Sequence, residues 1–504
     1  MSWIDTPYVG LIAYLVVVAG VGVWTFNMNK TKEDFILGGR RLGAWVIAFS
    51  ERTAAESSWL ILGLSGALYA AGLVELWTVF GCVGGIIFYW FAVARRLRVL
   101  SEQYGAITLP EYFFRFCGRY GQTVRVLSML IICFFFAFYI AAQFIGAGKV
   151  LQVTFGIDTS IGMPLAGGVV ILYTMMGGFA AVCYTDVVQA VLMIVTLVVM
   201  PIVGLVLLSG NGVDIGAALA AKGHAASLFG GKTGWAAAAA VIGGLSWGLG
   251  YMGQPHLVTK FMAINKPSAI RTSRNVAIVW TVLAYAGAAL IGIFGIALVH
   301  SGQLPGASIT GQGADPERVL PLMANLLFPA WFAGILISGA IAAMMSTADS
   351  QLLVATSTIL EDVYCKALGR ELSQKKLVLM GRVVTILVGA AGFLLAATSD
   401  DLIYDVVSLA WAGLGSSFGP AILLSLHWKR MNGAGVVASM ITGTVSTAAW
   451  KWIPGLDAVI SVRFASFALA LTAAIVFSLA SGRRASGTGE AMRGGGEASL
   501  APIP

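Results

Sequence analysis

Apolar residues run through this chain in blocks of about 20, parted by short polar turns, over almost its whole length. Each block is long enough to cross a hydrocarbon core of roughly 30 Å as a helix. The alternation of apolar and polar positions that marks a barrel strand is absent, which leaves helices as the spanning solution. The pattern predicts an all-α integral membrane protein of about 13 transmembrane helices, at 7–27, 43–65, 73–94, 126–152, 163–182, 186–209, 236–258, 275–300, 321–347, 380–398, 403–427, 433–452 and 464–481.

Composition agrees, with 58% hydrophobic and 11% charged residues against about a quarter charged in soluble domains. Charge then orients the spans. If the N-terminus lies outside, Lys222, Lys232, Arg318, Lys451 and Arg463 fall in outside loops and Arg52 and Lys149 within spans, leaving 24 of the 31 Lys and Arg residues inside. The positive-inside rule therefore predicts a multi-pass protein of the cell inner (plasma) membrane, N-terminus outside and C-terminus cytoplasmic. This asymmetry accounts for the net charge of +8 and implies no nucleic-acid partner. The first span lacks the basic n-region and cleavage site of a signal peptide and reads as a retained helix. Five scattered cysteines suggest neither disulfides nor a zinc framework. Residues 483–504, rich in Gly, Ala and Ser, read as a disordered cytoplasmic tail.

Catalytic constellations are missing. There is no HExxH, and His224, His256, His300 and His427 lie far apart. The stretch Gly230 to Thr233, "GGKT", resembles the end of a phosphate loop, but Ala226 stands where its first glycine belongs. Neither an enzyme nor ATP-driven transport is expected.

Two spans look interrupted. The segment "AFSERTAAESSWLILG" (Ala48 to Gly63) carries Glu51, Arg52 and Glu56 where lipid-facing residues should be apolar. The segment "GGLSWGLGYMGQPHLV" (Gly243 to Val258) has five glycines and Pro255, which makes unwinding cheap. With the first span set aside, these fall in helices 1 and 6. The domain plan is therefore one transmembrane unit, 1–482: an extra N-terminal helix at 7–27, repeat one at 43–209, repeat two at 236–427, and two C-terminal helices at 433–481. An odd number of spans per repeat inverts the second copy, and paired broken helices point to a secondary transporter with a midplane site.

The ordered motifs "EDFILGGRRLG", "ITLPEYF", "YTMMGGFAAVCYTDVVQAVLM", "WGLGYMGQPHLVTKFMA", "GAIAAMMSTADSQLLVATSTILEDVY" and "AWAGLGSSFGP" resemble the sodium:solute symporter family, most closely its bacterial proline-transporting members. The resemblance covers roughly residues 30–430. It implies a sodium site from the backbone carbonyls of Thr53, Glu56 and Ala343 with the hydroxyls of Ser346 and Thr347. In some members the positions of Asp186, Ser346, Asp349 and Ser350 hold a second cation. Asp186 has a plainer reading as a cap at the start of its helix, and Ser346 and Thr347 one as hydroxyls bonded back to their own helix.

The resemblance further implies that substrate meets Trp247, Tyr251 and Pro255, with Ser57, Trp59 and Tyr139 as further candidates and Trp411 as ordinary packing. Aromatic faces and a phenol suit a compact imino acid. The expected function is sodium-coupled import of a small amino acid, L-proline first, by alternating access. The alternatives are another small amino or carboxylic acid, or a sensor or channel on the same scaffold. Sodium is the coupling ion, the bilayer the surrounding, and no cofactor is implied. The chain departs from the family pattern at one place: Ala55 stands where proline symporters carry an aspartate, and the carboxylate is on Glu56. Arg52 and Glu56 are expected to pair at i,i+4, with Glu51 facing the cytoplasmic vestibule.

Overall fold

The computed structural model describes residues 6–481 apart from 26–27, 29–30, 177, 307–308, 310–313, 371–373 and 400. The expected tail at 483–504 lies outside the described residues. Where backbone polar groups have no water, each apolar block closes its own hydrogen bonds, and helices result throughout. After α1 (Tyr8–Thr25) comes the first broken helix. It consists of α2 (Ala44–Ala55) and, beyond a gap, a wide-turn segment Trp59–Leu64 running into α3 (Ser65–Ala71). Then follow α4 (Leu76–Tyr89), α5 (Gly121–Phe155), α6 (Thr159–Met176) and α7 (Phe179–Gly210).

The second half repeats this order. It opens with a broken helix, α8 (Gly234–Leu245) leading through short turns to α9 (Pro255–Ala263). It continues with α10 (Ile270–His300), α11 (Ala330–Ser357), α12 (Gln374–Ala397) and α13 (Ile403–His427). The last two helices are α14 (Gly433–Trp452) and α15 (Val462–Ala480).

Ten helical stretches among the described residues are long and apolar enough to cross a bilayer, fewer than the spans expected. The span expected at 43–65 is cut in two at Glu56, Thr159–Met175 is short, and α14 is diluted by Gly, Ser and Thr. Two boundaries also move. The block at 321–347 is a short helix, Val319–Leu327, followed by a break before α11. The block at 163–182 ends at Met176, and α7 starts at Phe179 rather than near 186. Asp186 therefore lies two turns inside α7, whose N-cap is Gly178, and it caps nothing.

Burial ranks the helices. In α13 and the α11 stretch 89% and 78% of the apolar window is covered, against 22% in α1 and 28% in α12. The former build the centre and the latter face lipid. At the end of the bundle where α9 stops, the chain is tied shut. Arg40 donates to the carbonyls of Met262 (2.8 Å) and Ala106 (2.6 Å), Arg98 donates to that of Ile264 (2.6 Å), and the Asn265 amide bonds the Leu42 carbonyl. At the other end, where α8 begins, a cavity of about 750 Å³ opens between the two broken helices and α15.

Candidate functional site

The first break falls at Glu56, whose backbone leaves the helical region (φ −98°, ψ 69°). Its stray groups are met locally. The Trp59 indole donates to the Ala55 carbonyl at 3.0 Å, and Gln143 on α5 accepts from the Ser58 amide (3.2 Å) and hydroxyl (3.0 Å). Sequence reasoning missed Gln143, although it is a lone amide in an apolar span.

Across from this break stands α11. Ser346 Oγ donates to the Thr53 carbonyl at 3.0 Å and to the Ala343 carbonyl at 3.2 Å. Thr347 Oγ1 donates to the Ala54 carbonyl at 3.0 Å. Both hydroxyls thus cross to the broken helix rather than only bonding back to their own. Two hydroxyl oxygens and the carbonyls of Thr53, Ala54 and Ala343 converge, the neutral oxygen set a hard monovalent cation requires. Ala54 was not among the expected ligands, and for the Glu56 carbonyl no contact with this group is seen.

The two charges of α2, Glu51 and Arg52, form one cluster with Glu56 just past its end. Arg52 donates to Glu51 through Nε (2.6 Å) and a second, shorter bond, and to Glu56 Oε1 at 3.0 Å, so the expected i,i+4 pair is present. Glu56 Oε2 accepts from Tyr285 at 2.7 Å, and Oε1 lies 3.5 Å from the Tyr251 hydroxyl. Glu51 does not face a vestibule: it is fully buried and accepts from the Trp90 indole at 3.2 Å. The adjacent guanidinium draws it inward, because a buried charge persists only when paired. With both carboxylates ionised the cluster carries net charge −1.

Asp186 lies next to this group through Thr53, whose hydroxyl is 3.3 Å from the Asp186 carbonyl. Its carboxylate accepts from Ser50 (2.5 Å) and from the Lys260 ammonium (3.2 Å), with both ends of the ion pair buried. Lys260 follows the span expected at 236–258 and so falls among the 24 inside charges, yet it lies within α9. Asp349 accepts from Tyr173 at 2.9 Å. Asp186 Oδ1, Asp349 Oδ1 and Ser350 Oγ have no partner among the described residues.

The second break falls at Gln254 (φ −82°, ψ 109°), one residue before Pro255, which opens α9. A proline there costs no hydrogen bond and holds the preceding residue extended. The glycines serve packing instead: a Cβ on Gly250 would sit 1.9 Å from Trp411 Nε1, and one on Gly248 2.2 Å from the Gly81 carbonyl oxygen. Such close approach seats an aromatic cluster. Trp247 stacks on Trp59 (4.6 Å, 10°), and Tyr251 meets Trp411 edge-on at 4.7 Å. Trp411 donates to the Trp247 carbonyl at 2.9 Å and is more than peripheral packing. Ser57 and Tyr139 face each other at 3.5 Å. Trp247, Tyr251 and Pro255 recur every four residues, but Pro255 lies beyond the break and does not share one helical face with the other two.

These features place an oxygen-lined niche and an aromatic cluster at two adjoining helix breaks. The sodium:solute symporter family model matches residues 35–443, about four-fifths of the chain. The chain belongs to the sodium:solute symporter family. Among relatives, it is 37% identical to the sodium/proline symporter of Haemophilus influenzae over 94% of this chain and 95% of that one. It is 36% identical to the sodium/proline symporter of Escherichia coli, over 94% and 93%. In fold it is similar to a Na+-coupled sialic acid symporter in a substrate-bound outward-open state, with TM-score 0.74 and 19% identity over 94% of this chain and 98% of that one. It is also similar to MhsT in complex with L-phenylalanine, with TM-score 0.54 and 16% identity over 86% and 97%. As a sodium:solute symporter the chain is a multi-pass membrane transporter whose coupling ion is sodium, and its relatives carry solutes rather than transform them.

Proposed function

We propose that the chain imports L-proline with sodium by alternating access, N-terminus outside. The observation that carries this reading is the convergence of Ser346 and Thr347 on the carbonyls freed beside the first break. A sodium ion there replaces the hydroxyl protons' role of holding α2 to α11, and its charge offsets the net −1 of the Glu51, Arg52 and Glu56 cluster. Substrate lies between the aromatic faces of Trp59, Trp247 and Tyr251, with Ser57 and Tyr139 supplying hydroxyls and Pro255 shaping the wall. Sodium bound first orders α2 against α11 and tightens substrate, and linkage requires the converse. One charge crossing about 100 mV supplies roughly 2.3 kcal/mol, enough for about fifty-fold accumulation.

Asp186, Asp349 and Ser350 formed the candidate for a second cation. Asp186 already holds the Lys260 ammonium, so we assign one sodium per substrate. The Tyr285 and Tyr251 hydroxyls around Glu56 keep a second reading alive, another small amino acid whose ammonium meets that carboxylate. The test is uptake of radiolabelled L-proline by purified protein in liposomes, with competing amino acids. Uptake driven by inward sodium, and not by a proton gradient alone, is expected. Uptake driven by protons alone refutes the sodium assignment, and stronger uptake of a competitor replaces proline.

A further inference from the structure

A smaller cavity, of about 150 Å³, lies between α1, α5, α6 and α11. Its back wall is buried, with Phe144 and Ala147 from α5 and Met344 from α11. Its mouth is open. Leu11 and Leu15 on α1 are partly exposed and Leu165 on α6 is half-exposed, and they run into the bare apolar faces of the same two helices at Ile12, Val16 and Ile161. Gln143 is the one polar side chain in the lining, and both ends of its amide are engaged at the first break. Its Oε1 accepts from Ser58, and its Nε2 donates to the Tyr139 carbonyl at 3.2 Å and to the Ser57 hydroxyl at 3.4 Å. A buried water needs two to four polar partners, so this space stays dry. Nor can α1 move in to close it. A Cβ on Gly10 would strike the Ile335 amide, and the Tyr14 hydroxyl is pinned to Met345 Sδ at 3.3 Å. A dry apolar space of this size holds an occupant about as large as a benzene ring.

We propose that this cavity takes the terminal carbons of a bilayer lipid's acyl chain, entering between α1 and α6, and that the chain end steadies α11 beside the ion niche. The mouth is continuous with the lipid-facing surface, and the wall offers an occupant only dispersion contacts, which select hydrocarbon over a polar solute. Depth selects the end of the chain. Through Gln143 the cavity touches the first break, paired breaks sit near the bilayer midplane, and acyl chains end there. Met344 and Met345 directly precede Ser346 and Thr347 on α11, and their flexible side chains repack when a neighbouring space empties. The steadying role rests on the sodium placement proposed above, whereas the binding of the chain end does not.

The test places the full-length protein in phosphatidylethanolamine and phosphatidylglycerol vesicles doped with a phosphatidylcholine that carries a diazirine on the last carbons of one acyl chain, and locates the photolabel by mass spectrometry. Label is expected on Phe144, Ala147 or Met344, about fivefold above that from the same lipid with its diazirine next to the headgroup. Ala147→Phe fills the space and should cut this label about fivefold while label on lipid-facing α12 stays unchanged. Ala166→Phe, on α6 in the same lining, serves if the first variant fails to insert. Back-wall label no greater than the headgroup control, or unmoved by filling, overturns the proposal. Sodium titrations by tryptophan fluorescence, with lipid stripped and restored, test the steadying role. Stripping should weaken sodium affinity about threefold in the wild type and leave Ala147→Phe, whose ring stands in for the chain end, unaffected. Equal weakening in both overturns that role. A wild type that gives no response to sodium contradicts the sodium placement instead, and is told apart because the photolabel is read without sodium.

Discussion

The two broken helices reach the same end by opposite means. At the first, a charged triad and two hydroxyls from α11 stand around an interruption at Glu56, and the chain offers oxygens. At the second, glycines let Trp411 and α4 press against the backbone, the interruption at Gln254 is set by Pro255, and the chain offers rings. Polar atoms exposed inside a membrane must be answered by a ligand or a neighbour. The first break is answered by atoms a cation can share, whereas the second is answered by packing, which leaves its aromatic faces for a solute. On the proposed assignment the ion therefore meets the first break together with α11, and the solute meets rings contributed by both breaks, chiefly the second.

The sharpest way to break this contrast is the double variant Ser346→Ala, Thr347→Ala. It should raise the sodium concentration for half-maximal uptake about a hundredfold or abolish uptake, with membrane insertion unchanged on a surface-labelling assay. Next in size, Gly250→Ala drives a methyl into Trp411, an overpacking cost of about 1–3 kcal/mol. Substrate affinity by equilibrium binding should fall roughly ten- to fiftyfold, with sodium affinity unmoved. Glu56→Gln removes one charge and exchanges one of two accepting oxygens for a donating amide. Sodium affinity should weaken about tenfold, and a variant that loses only expression would reduce the triad to architecture. Smallest is Tyr285→Phe, which deletes one bond to Glu56. A shift of about threefold in the same sodium titration is expected, in line with ~0.5–1.5 kcal/mol for one hydrogen bond.

Much of this was legible in the sequence because its causes are local. The bounds of α13 and α14 match the expected 403–427 and 433–452, since polar turns bracket both. The Arg52–Glu56 pair could be read because the two lie four apart and Glu56, just past the last turn of α2, still bonds its amide to the Arg52 carbonyl. Hydropathy could not see the stop between Met176 and Phe179 or the break before α11, because apolar residues continue through both. Lys260 and Arg463 were counted as loop charges, as their partners, Asp186 and Trp247, lie 74 and 216 positions away in the chain. Gln143 and Tyr285 were missed for the same reason: a side chain that satisfies a distant break leaves no spacing to recognise.

The most direct test of the division between the two breaks is a linkage measurement on purified protein, L-proline affinity as a function of sodium and sodium affinity as a function of L-proline. The wild type should show the same tightening factor in both directions. In Thr347→Ala that factor should fall to about one, while L-proline affinity without sodium stays at its wild-type value. A Thr347→Ala protein that keeps the full factor would contradict the placement of sodium at the first break, and one that loses sodium-free proline binding would contradict the separation of ion from substrate.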